Sequence, residues 1–157
     1  IRIGALITKN KEVRNAVMKF CQARLSPPLY GQLVAEASLS TPQEYMAEVY
    51  EEYLLRRNFL IDELNKIDGV YSPTPMGAFY TMVKLPVDDA EKFCQWCLTD
   101  FSYEGQTVMM APGSGFYTDP KEGRNEVRMA YVLNKEDLAK AMVVLRKALE
   151  EYNAQEG

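Results

Sequence analysis

Arg128 is the charged residue with the most informative surroundings. It stands in Glu126-Val127-Arg128-Met129-Ala130-Tyr131-Val132-Leu133. Val127, Met129, Tyr131 and Leu133 alternate onto one face of a strand, and Arg128 shares the other with Ala130 and Val132. An arginine between apolar neighbours in mid-strand is costly unless something anionic meets it. Two readings fit. The guanidinium fork suits a clamp on a carboxylate ligand; alternatively, Arg128 pairs with a carboxylate of the chain or lies on an exposed edge strand. Arg2, in Ile1-Arg2-Ile3-Gly4, is a second arginine inside an apolar stretch, where the plainer reading is a strand-end charge reaching solvent. Pro112-Gly113-Ser114-Gly115-Phe116-Tyr117 follows a short apolar run. Its glycines permit close backbone approach or positive φ, or simply make a turn. No GxGxxG or GxxxxGK[ST] phosphate loop occurs.

Cys94-Gln95-Trp96-Cys97 has zinc or redox spacing. A structural zinc needs four ligands, yet the chain has three cysteines and no histidine. A redox pair sits at a helix N-terminus, where the thiol pKa falls; this one lies mid-helix beside Phe93 and Trp96. Core packing is therefore expected of both thiols. The lack of histidine also excludes Ser-His and Cys-His nucleophile pairs within the chain.

Composition narrows the class further. The chain has 157 residues, 47% hydrophobic and 25% charged, enough apolar content to bury a core. A net charge of -4 without a basic run argues against nucleic acid as a partner. No apolar stretch approaches the ~20 residues that span a bilayer, so no membrane partner is expected. An odd cysteine count fits free thiols in a reducing compartment, and a cytoplasmic location is expected. The start lacks both a signal peptide and Met and reads as mid-strand, so a piece of a longer protein is expected.

The elements that must position these residues follow from periodicity and punctuation. Ile1 to Thr8 reads as a strand. Asn10 caps a helix over residues 11–24, which Ser26-Pro27-Pro28 stops. A short helix spans Tyr30 to Leu39. Thr41-Pro42-Gln43-Glu44 opens a helix of about 25 residues, roughly 37 Å long, which Asp68-Gly69 ends; that length suits a strut between domains. Residues 77–85 read as a strand with Phe79, Thr81, Val83 and Leu85 on one face. Asp88-Asp89 precede a helix, Val108 to Ala111 and residues 126–133 read as strands, and Asn134 caps a last helix. From Gly69 onward the order is β, α, β, β, α, an α+β layer with helices on a small sheet.

Three stretches in order carry a resemblance: Pro75-Met76-Gly77-Ala78-Phe79-Tyr80, then Val108-Met109-Met110-Ala111-Pro112-Gly113-Ser114-Gly115-Phe116, then Asn125-Glu126-Val127-Arg128-Met129-Ala130-Tyr131. Together they resemble the class I/II pyridoxal-phosphate-dependent aminotransferases, the aspartate aminotransferase-like enzymes in particular, over essentially the whole chain. The resemblance implies an α/β family fold of the PLP-dependent transferase type. Residues 1–44 would be the end of the large cofactor-binding domain, 45–68 a long interdomain helix, and 69–157 the small C-terminal α+β domain with a small antiparallel or mixed sheet. It implies pyridoxal 5'-phosphate as cofactor, an amino acid and a 2-oxo acid as substrates, with aspartate one candidate, and a homodimer.

Site roles follow from the same resemblance. Arg2-Ile3-Gly4 matches the tail of the family's lysine-to-arginine pattern, which places the cofactor lysine upstream of Ile1 and leaves no catalytic residue in this chain. Arg2 would pair with the cofactor phosphate, Arg128 would grip the substrate α-carboxylate, and Phe79 would lie near the substrate entrance. Ser26-Pro27-Pro28-Leu29-Tyr30 matches a loop that approaches the neighbouring subunit's site, but it departs from the usual sequence, and Tyr30 receives no role. A lyase of the same fold, or a stand-alone α+β binding module with Arg128 as anion anchor, are the alternatives. The resemblance predicts that these 157 residues alone form no stoichiometric cofactor–lysine adduct. Mixing the chain with pyridoxal phosphate, reducing with borohydride and mapping labelled peptides checks this; one lysine labelled stoichiometrically would contradict it.

Overall fold

A computed structural model describes residues 2–119 and 121–156. The chain divides into two compact units, Ile1–Glu48 and Val49–Gly157. The division falls inside the long helix.

In the first unit, residues 2–8 form no strand, contrary to expectation, and Ile1 lies outside the described residues. A strand needs a partner for its backbone groups, and among the described residues this unit contains no other strand. Helix α1 (Lys11–Arg24) forms as predicted: the Asn10 side chain accepts from the Glu12 and Val13 N–H groups at 2.9 and 3.1 Å. It ends at Leu25, whose φ of 69° stops helical propagation. Helix α2 (Leu29–Ser38) starts directly after the two prolines. No residue of α1 is buried, and Met18 and Phe20 are exposed.

Helix α3 (Gln43–Leu64) is 22 residues long, about 33 Å at the usual rise. Two details of its expected ends are corrected. The Pro42 carbonyl accepts the first helical bond, from Met46, and among the described residues Thr41 makes no capping bond. The helix stops at Leu64, before Asp68-Gly69. Asn65 takes over the backbone there: its amide oxygen accepts from Ser72 N–H at 2.9 Å, and its NH2 donates to the Ser72 carbonyl at 3.1 Å. Gly69, at φ +73°, closes the turn that follows, and a Cβ there would stand 2.8 Å from the Pro86 ring.

The second unit holds the sheet. Strand β1 (Tyr80–Lys84), helix α4 (Ala90–Thr99), strand β2 (Ala111–Pro112), a 3-10 turn over Ser114–Phe116, strand β3 (Glu126–Ala130) and helix α5 (Lys135–Glu156) follow in order. This is the expected β, α, β, β, α succession, but the strands are shorter and β2 is displaced: residues 108–110, expected in it, form no strand, and it keeps only Ala111 of that run and adds Pro112. The sheet order is β1-β3-β2, antiparallel throughout. Asp89 caps α4 through Glu91 and Lys92 N–H. Asn134 accepts from Asp137 N–H at 2.8 Å ahead of α5.

Alternation along the strands builds the core. Thr81 and Val83 of β1, Leu85 just beyond it, Val127 and Met129 of β3, and Tyr131 after it face inward. They meet Phe93, Cys94 and Cys97 of α4, Leu138, Met142, Leu145, Leu149 and Tyr152 of α5, and Leu60 and Leu64 of α3. Phe79, expected in the strand on one face with Thr81, Val83 and Leu85, lies before β1 and is half exposed, whereas the other three are buried. Among the described residues no helix is long and apolar enough to cross a membrane.

Cys94 and Cys97 are buried, and Cys21 is exposed. Burial pushes the Cys94 thiol up from 9.0 to about 11 and the Cys97 thiol to about 12. Both stay protonated at neutral pH and pack as small hydrophobes. A raised folded-state pKa means stability that is complete below pH 9 and lost as pH rises towards these values. A colourimetric thiol reagent at pH 8 is therefore expected to label one cysteine rapidly in the native chain and three after denaturation. Stability measured in urea should begin to fall above about pH 9, less so in Cys97→Ala.

Candidate functional site

Arg128 lies at the centre of β3, which is the middle strand rather than an edge. Its register partners are Met82 of β1 and Ala111 of β2. Because Val127 and Met129 point into the core, Arg128 emerges on the opposite, open face of the sheet. That phase removes the cost of burying a charge. It leaves the question of what partners the guanidinium.

Two rings do. The Arg128 Cζ lies 4.7 Å from the Phe116 ring centroid and 5.3 Å from that of Tyr80. Among the described residues Arg128 has no carboxylate within ion-pair distance. The nearest acidic residue on the same strand face, Glu126, is engaged elsewhere: Tyr117 donates its hydroxyl to Glu126 Oε2 at 2.5 Å. That bond also holds the Tyr117 phenol above its ordinary pKa. Both plainer readings of Arg128, an edge strand and an internal ion pair, are thereby set aside.

Phe79 joins this cluster through its neighbour. Its ring meets Tyr80 edge-on at 5.5 Å and Tyr53 of α3 at 6.3 Å. The segment bearing it is held from β3 by Tyr131, whose N–H donates to the Phe79 carbonyl at 2.9 Å and whose hydroxyl donates to the Ala78 carbonyl at 3.0 Å. Burial raises the Tyr131 phenol pKa, opposed by the Arg57 charge, so the hydroxyl remains a donor at neutral pH. Arg57 itself donates to the Pro75 carbonyl at 3.2 Å. Ala78 takes a φ of 60°, an uncommon conformation for a residue with a side chain, and the Tyr131 bond stabilises it.

The Gly-rich turn aims Phe116. Gly113 N–H donates to the Glu126 carbonyl at 2.7 Å, and a Cβ on Gly113 would stand 2.7 Å from that same oxygen. Any side chain there would push the turn, and Phe116 with it, away from β3. Ala111, the register partner of Arg128 on β2, has only a methyl group.

Arg2 belongs to the first unit. With Ile3, Gly4 and Arg24 it lines an open hollow of about 420 Å³. Two guanidiniums, no acidic side chain among the described lining residues, and a glycine with open space at its Cβ position suit a phosphate in charge and donor type. Arg24 received no role from the sequence, nor did Tyr80 or Phe116, although both aromatics stand inside the quoted stretches. The Tyr80 signal is present in retrospect: antiparallel pairing sets it opposite Ala130, diagonal to Arg128. Arg24 carries no local pattern that marks it.

Comparison with known proteins now decides the family. A family model described as aminotransferase class I and II matches residues 1–145. The chain belongs to the class I and II aminotransferases. It is 26% identical over 153 residues to an aspartate aminotransferase of Pyrococcus horikoshii, covering 95% of this chain and 37% of that one. A solved alanine aminotransferase from Pyrococcus furiosus shares 30% identity at a TM-score of 0.71, over 91% of this chain and 36% of that one. The α-aminoadipate aminotransferase of Thermus thermophilus, solved with N-(5'-phosphopyridoxyl)-L-leucine, has the same fold over 92% of this chain and 37% of its own, at a TM-score of 0.72 and 23% identity. The chain thus spans about a third of the length of the relatives it matches.

The Tyr131 clamp yields a direct test. Tyr131→Phe should lower unfolding free energy in urea by about 0.5–1.5 kcal/mol, the usual loss for one hydrogen bond. Amide exchange at residues 77–80 should rise more than elsewhere in the sheet.

Proposed function

We propose that the protein to which this chain belongs transfers an amino group between an amino acid and a 2-oxo acid with pyridoxal 5'-phosphate. The observation that carries the reading is Arg128: a mid-strand guanidinium on the open face of the sheet, flanked by rings and, among the described residues, without a carboxylate at ion-pair distance. Every substrate of such a reaction bears a carboxylate beside the reacting carbon. A planar two-pronged donor is the group that both binds that carboxylate and fixes its rotation.

Fixing the carboxylate fixes which bond at the α-carbon is presented for cleavage, an orientation effect. Arg128 does this in the proposal. Phe79, half exposed at the rim of the same cluster, offers an apolar wall near the entrance. Pyridoxal phosphate, when bound, supplies an electron sink for the α-carbon. Arg2 holds its phosphate, supported by the charge and donor type of the hollow it lines with Arg24. The lysine that moves the proton is not assigned to any residue here.

Residues 1–44 are read as belonging to a large cofactor-binding domain, 45–68 as an interdomain helix and 69–157 as the small domain. A homodimer is supported by the apolar residues that α1 and α2 leave exposed, among them Met18, Phe20, Leu29 and Leu33. A cytoplasmic location is supported by three unpaired cysteines.

The two arginines separate the roles experimentally in the full-length protein. Arg128→Lys should raise the KM for amino-acid donors roughly tenfold to a hundredfold, as expected when one charge-assisted bidentate contact is lost. Cofactor affinity by equilibrium dialysis should stay unchanged. Arg2→Ala should show the reverse, weaker cofactor retention in dialysis. Unaltered kinetics in the Arg128 variant across several amino acids would refute the carboxylate role, and unaltered retention would refute the phosphate role.

A further inference from the structure

We propose that Tyr80 and Phe116 are positioning residues for Arg128, holding its guanidinium between two ring faces so that its fork is already aimed when a carboxylate arrives. The inference rests on the reading of Arg128 as a carboxylate anchor. It adds how the anchor is kept in place.

The rings come from elements on opposite sides of β3. Tyr80 reaches Arg128 diagonally from β1, across the strand position where Ala130 is its direct partner. Only a methyl group stands there, so the ring can lie over the strand toward Arg128. Phe116 arrives from the far edge of the sheet, on the 3-10 turn that Gly113 holds against the Glu126 carbonyl. The centroid distances of 5.3 and 4.7 Å fall within the range for cation–π attraction. Neither ring is in the core: Tyr80 is 43% and Phe116 53% exposed. Their placement is not accounted for by burial.

A guanidinium carries all five N–H donors in its own plane. Rings stacked over its faces would cover no donor and would leave the edge available for a carboxylate. An arginine on an open sheet face otherwise samples many rotamers, and binding must stop that motion. Stacking restricts the motion before binding. Lysine, with a compact ammonium on a flexible stem, has no plane to stack in this way. The Tyr117–Glu126 bond completes the arrangement by occupying the one acidic group on the same strand face.

The test uses the 157-residue chain, 15N-labelled, with sodium acetate as the probe against sodium chloride at constant ionic strength. In the native chain the Arg128 Nε–Hε proton should be displaced upfield by the two ring currents, and its 1H–15N NOE should report an ordered side chain. Acetate should perturb that resonance. Tyr80→Leu and Phe116→Leu should each reduce the displacement and the order and weaken acetate binding roughly twofold to tenfold, the range for immobilising one long side chain. Tyr80→Phe keeps the ring and should behave as the native chain. Urea midpoints should move little in all three, which separates positioning from a general structural role.

Distinct failures have distinct meanings. A native Arg128 resonance without upfield displacement overturns the sandwich outright, whatever the variants do. Should Arg128→Lys weaken acetate while both leucine variants bind it as the native chain does, the positioning role fails and the anchor stands. If acetate leaves Arg128 unperturbed, the anchor reading fails and takes the inference with it.

Discussion

The arrangement of the second unit depends on the phase of β3. Paired on both sides, the strand has no freedom to slip: Val127 and Met129 fill the core, and Arg128 must then face outward. A one-residue shift would exchange the two sets, exposing two apolar side chains and burying a guanidinium. The alternation of burial is thus also what presents the charge. Pairing with β1 sets Tyr80 diagonal to Arg128, and pairing with β2 brings the Gly-rich turn alongside. A single backbone register serves the core on one face and presents the candidate anion site on the other.

The loops around this strand are held by specific contacts rather than by burial alone. Tyr131 continues β3 by one residue and uses both its N–H and its hydroxyl on the Ala78–Phe79 backbone. Gly113 sits so close to the Glu126 carbonyl that only glycine fits. Glu126 accepts from Tyr117 with its carboxylate and from Gly113 with its carbonyl. The residues that bracket Arg128 in the sequence thus fix the turn that carries Phe116 and the segment that leads into Tyr80 at the start of β1. A helix could not do this as simply, because its carbonyls are spent on its own ladder.

Much of this was legible in the sequence, for identifiable reasons. The helices over Lys11–Arg24, Ala90–Thr99 and Lys135–Glu156 announce themselves by caps at Asn10, Asp89 and Asn134. The inward set on β3 and the packing of Cys94 and Cys97 follow from period and composition. What failed was non-local. The run before Thr8 is apolar enough for a strand, but a strand exists only with a partner, and one sequence cannot say whether a partner is present. Helix α3 ends before its punctuation implies because Asn65 binds the backbone of Ser72, seven residues on, before the glycine is reached. Tyr80 and Phe116 were visible as letters of motifs, yet their common neighbour is defined only once β1, β3 and the turn are paired.

The two candidate anion sites differ in how far they are built. Arg128 is fixed by a central strand, two rings and a neighbouring acid that is already engaged. Arg2 lies on backbone without regular structure, and with Arg24 it lines a hollow open to solvent. Ordering such a segment around a phosphate costs conformational entropy that the Arg128 site does not have to meet at binding. A phosphate bound there must therefore be secured by additional donors, or by pairing of residues 2–8 into a sheet. Relatives nearly three times the length of this chain have ample residues to supply either. The proposed substrate anchor stands within the small sheet, whereas the proposed cofactor anchor depends on structure that the described residues of the first unit do not provide.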